Sequence, residues 1–197
     1  MARKNCFAFK NGRCEIMEEL ICEKKKCSFY KSVEKYESDL EKYPLIDYEA
    51  LYEKGYRGII YDVDNTLVPH GAPADERALA LFERLRVIGF QTVLLSNNKE
   101  PRVKSFAGQV GSKYIFKANK PAKGGYEKAM ELMGTAKETT LFVGDQLFTD
   151  VWGAKRAGIE TYLVKPIHPK EEIQIVLKRK LEWIVLYFYH KQKGKAQ

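Results

Sequence analysis

The sequence predicts an α/β fold, a doubly wound parallel sheet covered by helices, preceded by a small cysteine module. Three observations carry this. After Pro44, short apolar runs alternate with segments of helical periodicity, as a parallel sheet with helices on its faces requires. Four of those runs end in carboxylates, a hydroxyl residue or a lysine, and open α/β sheets hold their ligands beyond the carboxyl ends of the strands. All four cysteines, Cys6, Cys14, Cys22 and Cys27, lie before Tyr43, which divides the chain into a module over residues 1–43 and a main domain over 44–197.

In the module the spacing is C-x7-C-x7-C-x4-C. It lacks the C-x-x-C knuckles of strong zinc signatures, and a reducing compartment argues against stable disulfides. A four-thiolate Zn2+ site and plain buried thiols both stay open. Residues 32–43 are charged and read as a helical connector.

The main domain then runs in order. The first strand, over 57–63, ends in Asp62-Val63-Asp64-Asn65-Thr66; on an extended chain residues i and i+2 point the same way, so Asp62 and Asp64 are expected to face one ligand. A helix follows over 73–87, with Leu79, Phe82, Leu85 and Arg86 at the spacings of one inward stripe and Gly89 as its stop. The second strand, 90–96, delivers Ser96-Asn97-Asn98 to the start of a helix over 100–109, where a hydroxyl and free amides form a phosphate cradle; a plain helix cap is the bland reading of Ser96. The third strand, 114–116, leads to Lys120, with Lys117 as a rival lysine. A helix over 122–133 stops at Gly134. The fourth strand, 139–144, ends in Asp145 with Asp150 close behind, and a helix over 149–157 and a strand over 160–164 complete the sheet. Carboxylates from two strand ends suit Mg2+, which prefers oxygen ligands and is shared with substrate phosphate.

At 197 residues, 45% apolar and 12% aromatic, the chain can bury one full core plus an appendage. Its 34 Lys+Arg against 26 Asp+Glu give +8, which favours anionic partners without choosing among phosphates, nucleic acid and anionic lipid. The start Met-Ala-Arg-Lys lacks the apolar segment of a secretory signal. No stretch reaches the roughly 18 uncharged apolar residues of a spanning helix. The expected location is cytoplasmic.

In this order, D-x-D-N-T, S-N-N, K-P and G-D-x4-D resemble the haloacid dehalogenase phosphatases, and more narrowly the YqeG-type subclass IIIA proteins. The resemblance implies a capless Rossmann-like fold and a phosphomonoesterase. It makes Asp62 the nucleophile that forms an aspartyl phosphate and Asp64 the general acid/base. It gives Lys120 to Asp62 and the phosphoryl oxygens, Ser96 and Asn97 to the remaining oxygens, and Thr66 to the turn around the phosphate. Mg2+ is expected on Asp62, the backbone carbonyl of Asp64, and Asp145, with Asp150 supporting. Related plant and mitochondrial proteins are phosphatidylglycerophosphate phosphatases, so a phosphorylated lipid leads the substrate expectations, with phosphoproteins and nucleotides as alternatives; binding to nucleic acid is not expected. A signalling receiver domain shares clustered Asp and Lys, but there the phosphorylated Asp follows the third strand and Lys comes last. An idle scaffold that binds a partner is a further alternative, although every catalytic residue type is present.

The gap of Pro69 to Pro73 and that between Ser96 and Lys120 are too short for a cap domain of usual size. His70 lies in the first and is either a substrate contact or an exposed loop histidine. From Lys165 onward eight Lys/Arg face three Glu, a surplus of +5, and Trp183 to Tyr189 is apolar on every face. The tail is expected to be a helix that lies on an anionic membrane surface, packs on the domain, or meets a second copy.

Overall fold

The computed structural model describes residues 46–167, the short strands Phe9–Lys10 and Arg13–Cys14, and Leu181, Glu182, Val185 and Tyr187. The chain forms two compact units, Met1–Ile46 and Asp47–Gln197. In the first, β1 (Phe9–Lys10) pairs antiparallel with β2 (Arg13–Cys14), Phe9 opposite Cys14. Cys6, Cys22, Cys27, the side chain of Cys14 and the connector over 32–43 lie outside the described residues, and the zinc expectation with them.

The second unit opens with α1 (Tyr48–Glu53), which the sequence pattern does not announce, since six residues are too few to display a periodicity. Asp47 caps it, accepting from the Ala50 N–H at 3.0 Å. Tyr48 and Leu51 face inward, and the Tyr61 hydroxyl donates to the Tyr48 hydroxyl at 2.8 Å.

Five parallel strands follow: β3 (Gly58–Tyr61), β4 (Gln91–Leu95), β5 (Lys113–Ile115), β6 (Thr140–Gly144) and β7 (Glu160–Leu163), in the spatial order β5-β4-β3-β6-β7. β3 is central and buried on both faces, which is why Gly-Ile-Ile-Tyr is a continuous apolar run rather than an alternating one. Its neighbours β4 and β6 are reached by crossovers in opposite directions, so the strand order reverses between β3 and β6. The crevice at that reversal is where such sheets place ligands.

Helices α2 (Glu76–Ile88), α3 (Glu100–Val110), α4 (Gly124–Met133) and α5 (Trp152–Arg156) make the crossovers. On one face Tyr126 of α4 meets Phe142 of β6 with ring centroids 5.2 Å apart; on the other Tyr61 meets Phe82 of α2 at 5.5 Å. Each such ring, fully buried, contributes about 1.5–3 kcal/mol. Gly89, left-handed at φ 109°, ends α2 as expected.

Three expectations need correction. Leu79 is 41% exposed and Arg86 is exposed as well; the inward stripe of α2 is Ala78, Phe82 and Leu85, the i, i+4, i+7 set, and Leu79 stands about 100° round the helix from Ala78. The predicted helix over 149–157 begins instead as a wide π-turn, Leu147–Val151, before α5 takes over. Two contacts hold it: Asp150 turns back to accept the Gln146 N–H at 3.0 Å, and Tyr126 of α4 donates its hydroxyl to the Thr149 carbonyl at 2.9 Å. Finally, β3 stops at Tyr61, and the chain turns through Asn65, which is left-handed at φ 67°. The extended-chain argument therefore does not reach Asp64, whose carboxylate has partners of its own, Gly71, Asn98 and Arg102.

Candidate active site

Asp62 follows the central strand directly, and its N–H still donates to the Val143 carbonyl of β6 at 2.9 Å. That backbone bond fixes its carboxylate at the strand-order reversal, beside Asp145 at the end of β6. Both are buried. Asp150 arrives from the π-turn, and one oxygen from each of Asp62, Asp145 and Asp150 lies within 4.8 Å of the other two.

Lys120 enters this acidic cluster from the loop after β5. Its Nζ donates to Asp62 Oδ1 and to Asp150 Oδ1, each at 2.6 Å, with all three side chains almost wholly shielded from water. The loop that delivers it is strained, with Lys117 and Asn119 left-handed at φ 44° and 54°. Asn97 clamps it: its Oδ1 accepts the Lys120 N–H at 2.7 Å and its Nδ2 donates to the Lys120 carbonyl at 3.1 Å. The Asn97 carboxamide is thus engaged in holding the lysine. Lys117 is exposed, which separates it from the cluster.

Thr66 stands between two of the carboxylates, its Oγ1 2.9 Å from Asp145 Oδ1 and 3.3 Å from Asp62 Oδ2. Ser96 is buried at the end of β4; its Oγ accepts the Asn98 N–H at 3.1 Å. It does not cap α3, whose N-cap position is Lys99, so the helix-cap reading of Ser96 falls. His70 is exposed on the flap between β3 and α2.

Asp64 is held apart from this cluster. Its Oδ1 accepts from the Gly71 N–H at 2.9 Å and from Arg102 Nη2 and Nε at 3.0 and 3.3 Å, and its Oδ2 accepts from Asn98 Nδ2 at 3.2 Å. Partial burial works against its charge, but the Gly71, Arg102 and Asn98 donors outweigh it and hold the carboxyl below its usual range.

The electrostatics of the buried cluster oppose those of Asp64. Burial, together with the charges of Asp150 and Asp145 and against that of Lys120, pushes the Asp62 carboxyl up to about 7. On Lys120, burial disfavours the ammonium, but Asp150 and Asp62 overcome it and raise the lysine above its ordinary value, so it stays charged. Three carboxylates against one ammonium leave a negative surplus that a cation can neutralise. The donors are all hard oxygens, without His or Cys in the group, a set that fits Mg2+. Gly144 is required here, because a Cβ on it would lie 2.6 Å from Asp150 Oδ2.

Arg102, Asn98, Gly71, Tyr126 and Glu182 are parts of the site region to which sequence reasoning gave no role. Glu182 is the least expected: from the C-terminal helical segment its carboxylate, itself buried, accepts the Leu147 N–H at 2.8 Å and the Phe148 N–H at 3.4 Å, at the opening of the π-turn. Nothing in the local sequence pairs residues 35 apart. Arg102 lies in the first turn of α3, just after Ser96-Asn97-Asn98.

A family model described as haloacid dehalogenase-like hydrolase matches residues 70–158, which include Ser96, Lys120, Asp145 and Asp150. The probable phosphatase YqeG of Bacillus subtilis is 38% identical over 150 residues, 76% of this chain and 87% of that protein. The chain belongs to the haloacid dehalogenase-like hydrolases. This hydrolase is a phosphatase, as the YqeG likeness and the family match together support. A phosphatidylglycerophosphate phosphatase of Arabidopsis thaliana is 29% identical over 158 residues, 72% of this chain and 44% of that longer protein. Its counterpart in Chlamydomonas reinhardtii is 29% identical over 152 residues, 71% of this chain and 56% of that one. This hydrolase therefore spans about half the length of those two relatives.

Proposed function

We propose that this phosphatase is a Mg2+-dependent phosphomonoesterase that works through an aspartyl phosphate on Asp62, and that its substrate is phosphatidylglycerophosphate or a similar lipid phosphate. The observation that carries the chemistry is the buried contact of Lys120 with Asp62 and Asp150 at the strand-order reversal, with Asp145 alongside. Mg2+ would sit on Asp62, Asp145 and the Asp64 backbone carbonyl, with Asp150 behind, and when bound supplies charge neutralisation between the nucleophile and the phosphate. Asp62 attacks phosphorus through Oδ2, the oxygen that does not receive Lys120. The bond to the leaving alcohol breaks and Asp64, protonated once substrate has displaced its donors, gives that oxygen a proton. Asp64 then takes a proton from water, the water oxygen attacks the aspartyl phosphate, and inorganic phosphate departs as Asp62 is restored. Lys120, Ser96 and the backbone amides of the turn after Asp62 stabilise the phosphoryl oxygens.

Two observations favour a lipid. Relatives at 29% identity carry the name phosphatidylglycerophosphate phosphatase. The C-terminal helical segment turns its acidic Glu182 inward and its apolar Leu181, Val185 and Tyr187 outward, at 57%, 45% and 52% exposure. Trp152, directly after the turn that Glu182 grips, is 54% exposed. Outward apolar and aromatic side chains beside a tail carrying a +5 surplus suit an anionic bilayer surface. Among the described residues, no helix is long and apolar enough to cross a membrane; the contact proposed is peripheral.

Substrate and membrane contact are tested together. Purified protein with Mg2+ is expected to release phosphate from phosphatidylglycerophosphate faster than from nucleotides or phosphopeptides; the reverse order removes the lipid reading. It is also expected to sediment with phosphatidylglycerol vesicles at low salt and to be released at high salt. The double substitution Leu181→Ser and Val185→Ser should weaken sedimentation by about tenfold, an estimate from the apolar area withdrawn from the bilayer. Equal sedimentation by the variant dissociates the tail from the membrane.

Metal binding has a readout independent of activity. In metal-free protein the folded Asp62 titrates near 7, against 3.8 for the ordinary carboxyl. Between those values the folded state holds the proton that the unfolded state has lost, so this group's contribution to stability is present at low pH and disappears as pH rises through about 7. Chelated protein should accordingly melt lower at about pH 8 than at about pH 5.5 as far as Asp62 is concerned. Mg2+ at about 100 times its dissociation constant should add about 2.7 kcal/mol, with the larger thermal shift at the higher pH. An absence of any Mg2+ shift at the higher pH sinks the assignment.

A further inference from the structure

Both oxygens of Asp64 are occupied by donors: Gly71 N–H, Asn98 Nδ2 and two nitrogens of Arg102. A general acid needs one oxygen free to carry a proton to the leaving group, so Asp64 must shed donors when substrate arrives. Gly71 and Asn98 are neutral. Arg102 carries a full charge, and its side chain is only 16% exposed against 13% for Asp64. A guanidinium in such a poorly hydrated place, freed from its carboxylate, needs another anion. Its long stem lets it turn, its cation lies 5.4 Å from the centre of the Phe106 ring, and its planar fork matches two oxygens of a phosphate or carboxylate. Among the described residues, Asp64 is its only ion-pair partner. Because Asp64 serves the leaving oxygen, Arg102 lies on the leaving-group side of the site.

We propose that Arg102 is the docking point for a second anionic group carried by the leaving alcohol, and that this group replaces Asp64 on the guanidinium as substrate binds. The inference rests on the reading of Asp64 as the residue that faces the leaving oxygen. The substrate class it defines is a phosphomonoester whose alcohol bears a second phosphate. A lipid with a phosphodiester across a glycerol from the monoester is one source, and a soluble bisphosphate is another. Binding energy from the second phosphate then frees the acid at the moment it is needed, which couples recognition to catalysis.

The test uses the full chain with Mg2+ and two soluble probes, propanediol bisphosphate and propyl phosphate, with phosphatidylglycerophosphate in mixed micelles as a third. Wild-type protein is expected to prefer the bisphosphate over the monophosphate by about 30-fold in kcat/KM, the range of a charge-assisted hydrogen-bond pair. In Arg102→Gln that preference should collapse to within about 3-fold, chiefly through KM for the bisphosphate. Arg102→Lys should retain part of it, since charge remains while the fork is lost; it also serves as the readable variant should the Gln form melt early. A wild-type enzyme without preference overturns the proposal, as does an Arg102→Gln enzyme slowed equally on both probes, which would leave Arg102 as a support for Asp64 alone. Wild type that prefers the bisphosphate but leaves the lipid untouched supports the Arg102 assignment and overturns the lipid reading. Full activity in Asp64→Asn removes Asp64 from the leaving group and overturns the proposal by that separate route.

Discussion

Asp62→Asn is expected to lower phosphate release by on the order of 10⁴-fold or more, the scale on which enzymes lose rate when the nucleophile is removed. The amide keeps the volume and can still accept a hydrogen bond from Lys120, but it neither attacks phosphorus usefully nor binds a hard cation well. Stability should move the other way. The Asp62 carboxylate is disfavoured first by burial and then by its acidic neighbours, so removing the charge relieves the metal-free protein. Above about pH 7 the chelated variant should melt at or above the wild-type temperature. Loss of activity with an intact, more stable fold is a combination that misfolding cannot produce. A variant that kept near wild-type, Mg2+-dependent turnover would end the aspartyl-phosphate reading. Asp64→Asn should retain more activity, since acid/base assistance is worth about 10²–10⁴-fold.

The largest expected effect on the fold belongs to Lys120→Met. The ammonium holds Asp62 and Asp150 at 2.6 Å each, inside a pocket closed to water. Methionine fills most of the space but leaves two buried carboxylates facing each other, with Asp145 close by. Breaking a buried ion pair by removing one partner costs about 3–5 kcal/mol. For a unit of this size each kcal/mol moves the melting temperature by about 2–4 °C, so calorimetry of chelated protein should show a fall of about 6–20 °C. Part of the loss should return at low pH, where protonation of a carboxyl removes the repulsion, and part with Mg2+. Turnover falls as well, because the phosphoryl oxygens lose their cation. A melting temperature within about 2 °C of wild type would mean that the lysine is not the counter-charge of the cluster.

How far the sequence reached depends on the range of the interactions. Buried strands such as Ile59-Ile60-Tyr61 and Leu141-Phe142-Val143, the alternation with helices, and the left-handed glycine after α2 all follow from residues close together in the chain. Periodicity and backbone sterics operate at that range, and they were sufficient for the doubly wound sheet. Placement of Asp62, Ser96, Lys120 and Asp145 at strand ends follows from the same pattern, because a parallel sheet brings its carboxyl ends to one edge wherever the strands sit in the sequence.

What only the tertiary structure decided is where the side chains at those ends turn. The extended-chain argument for Asp64 fails because the chain leaves the strand at Tyr61, and the Asp64 carboxylate takes three partners, from the flap and from the region around the start of α3. Asn97, read as a phosphate contact, closes on the backbone of a lysine 23 residues downstream. Leu79 and Ala78 are adjacent, and it is the position of the sheet beneath α2 that admits the smaller one. Glu182 reaches the π-turn across 35 residues and so sets the outward direction of Leu181 and Val185, which the stripe of the tail alone left open. Each of these is a choice among partners that become neighbours only after the chain has folded, and local propensity carries no information about them.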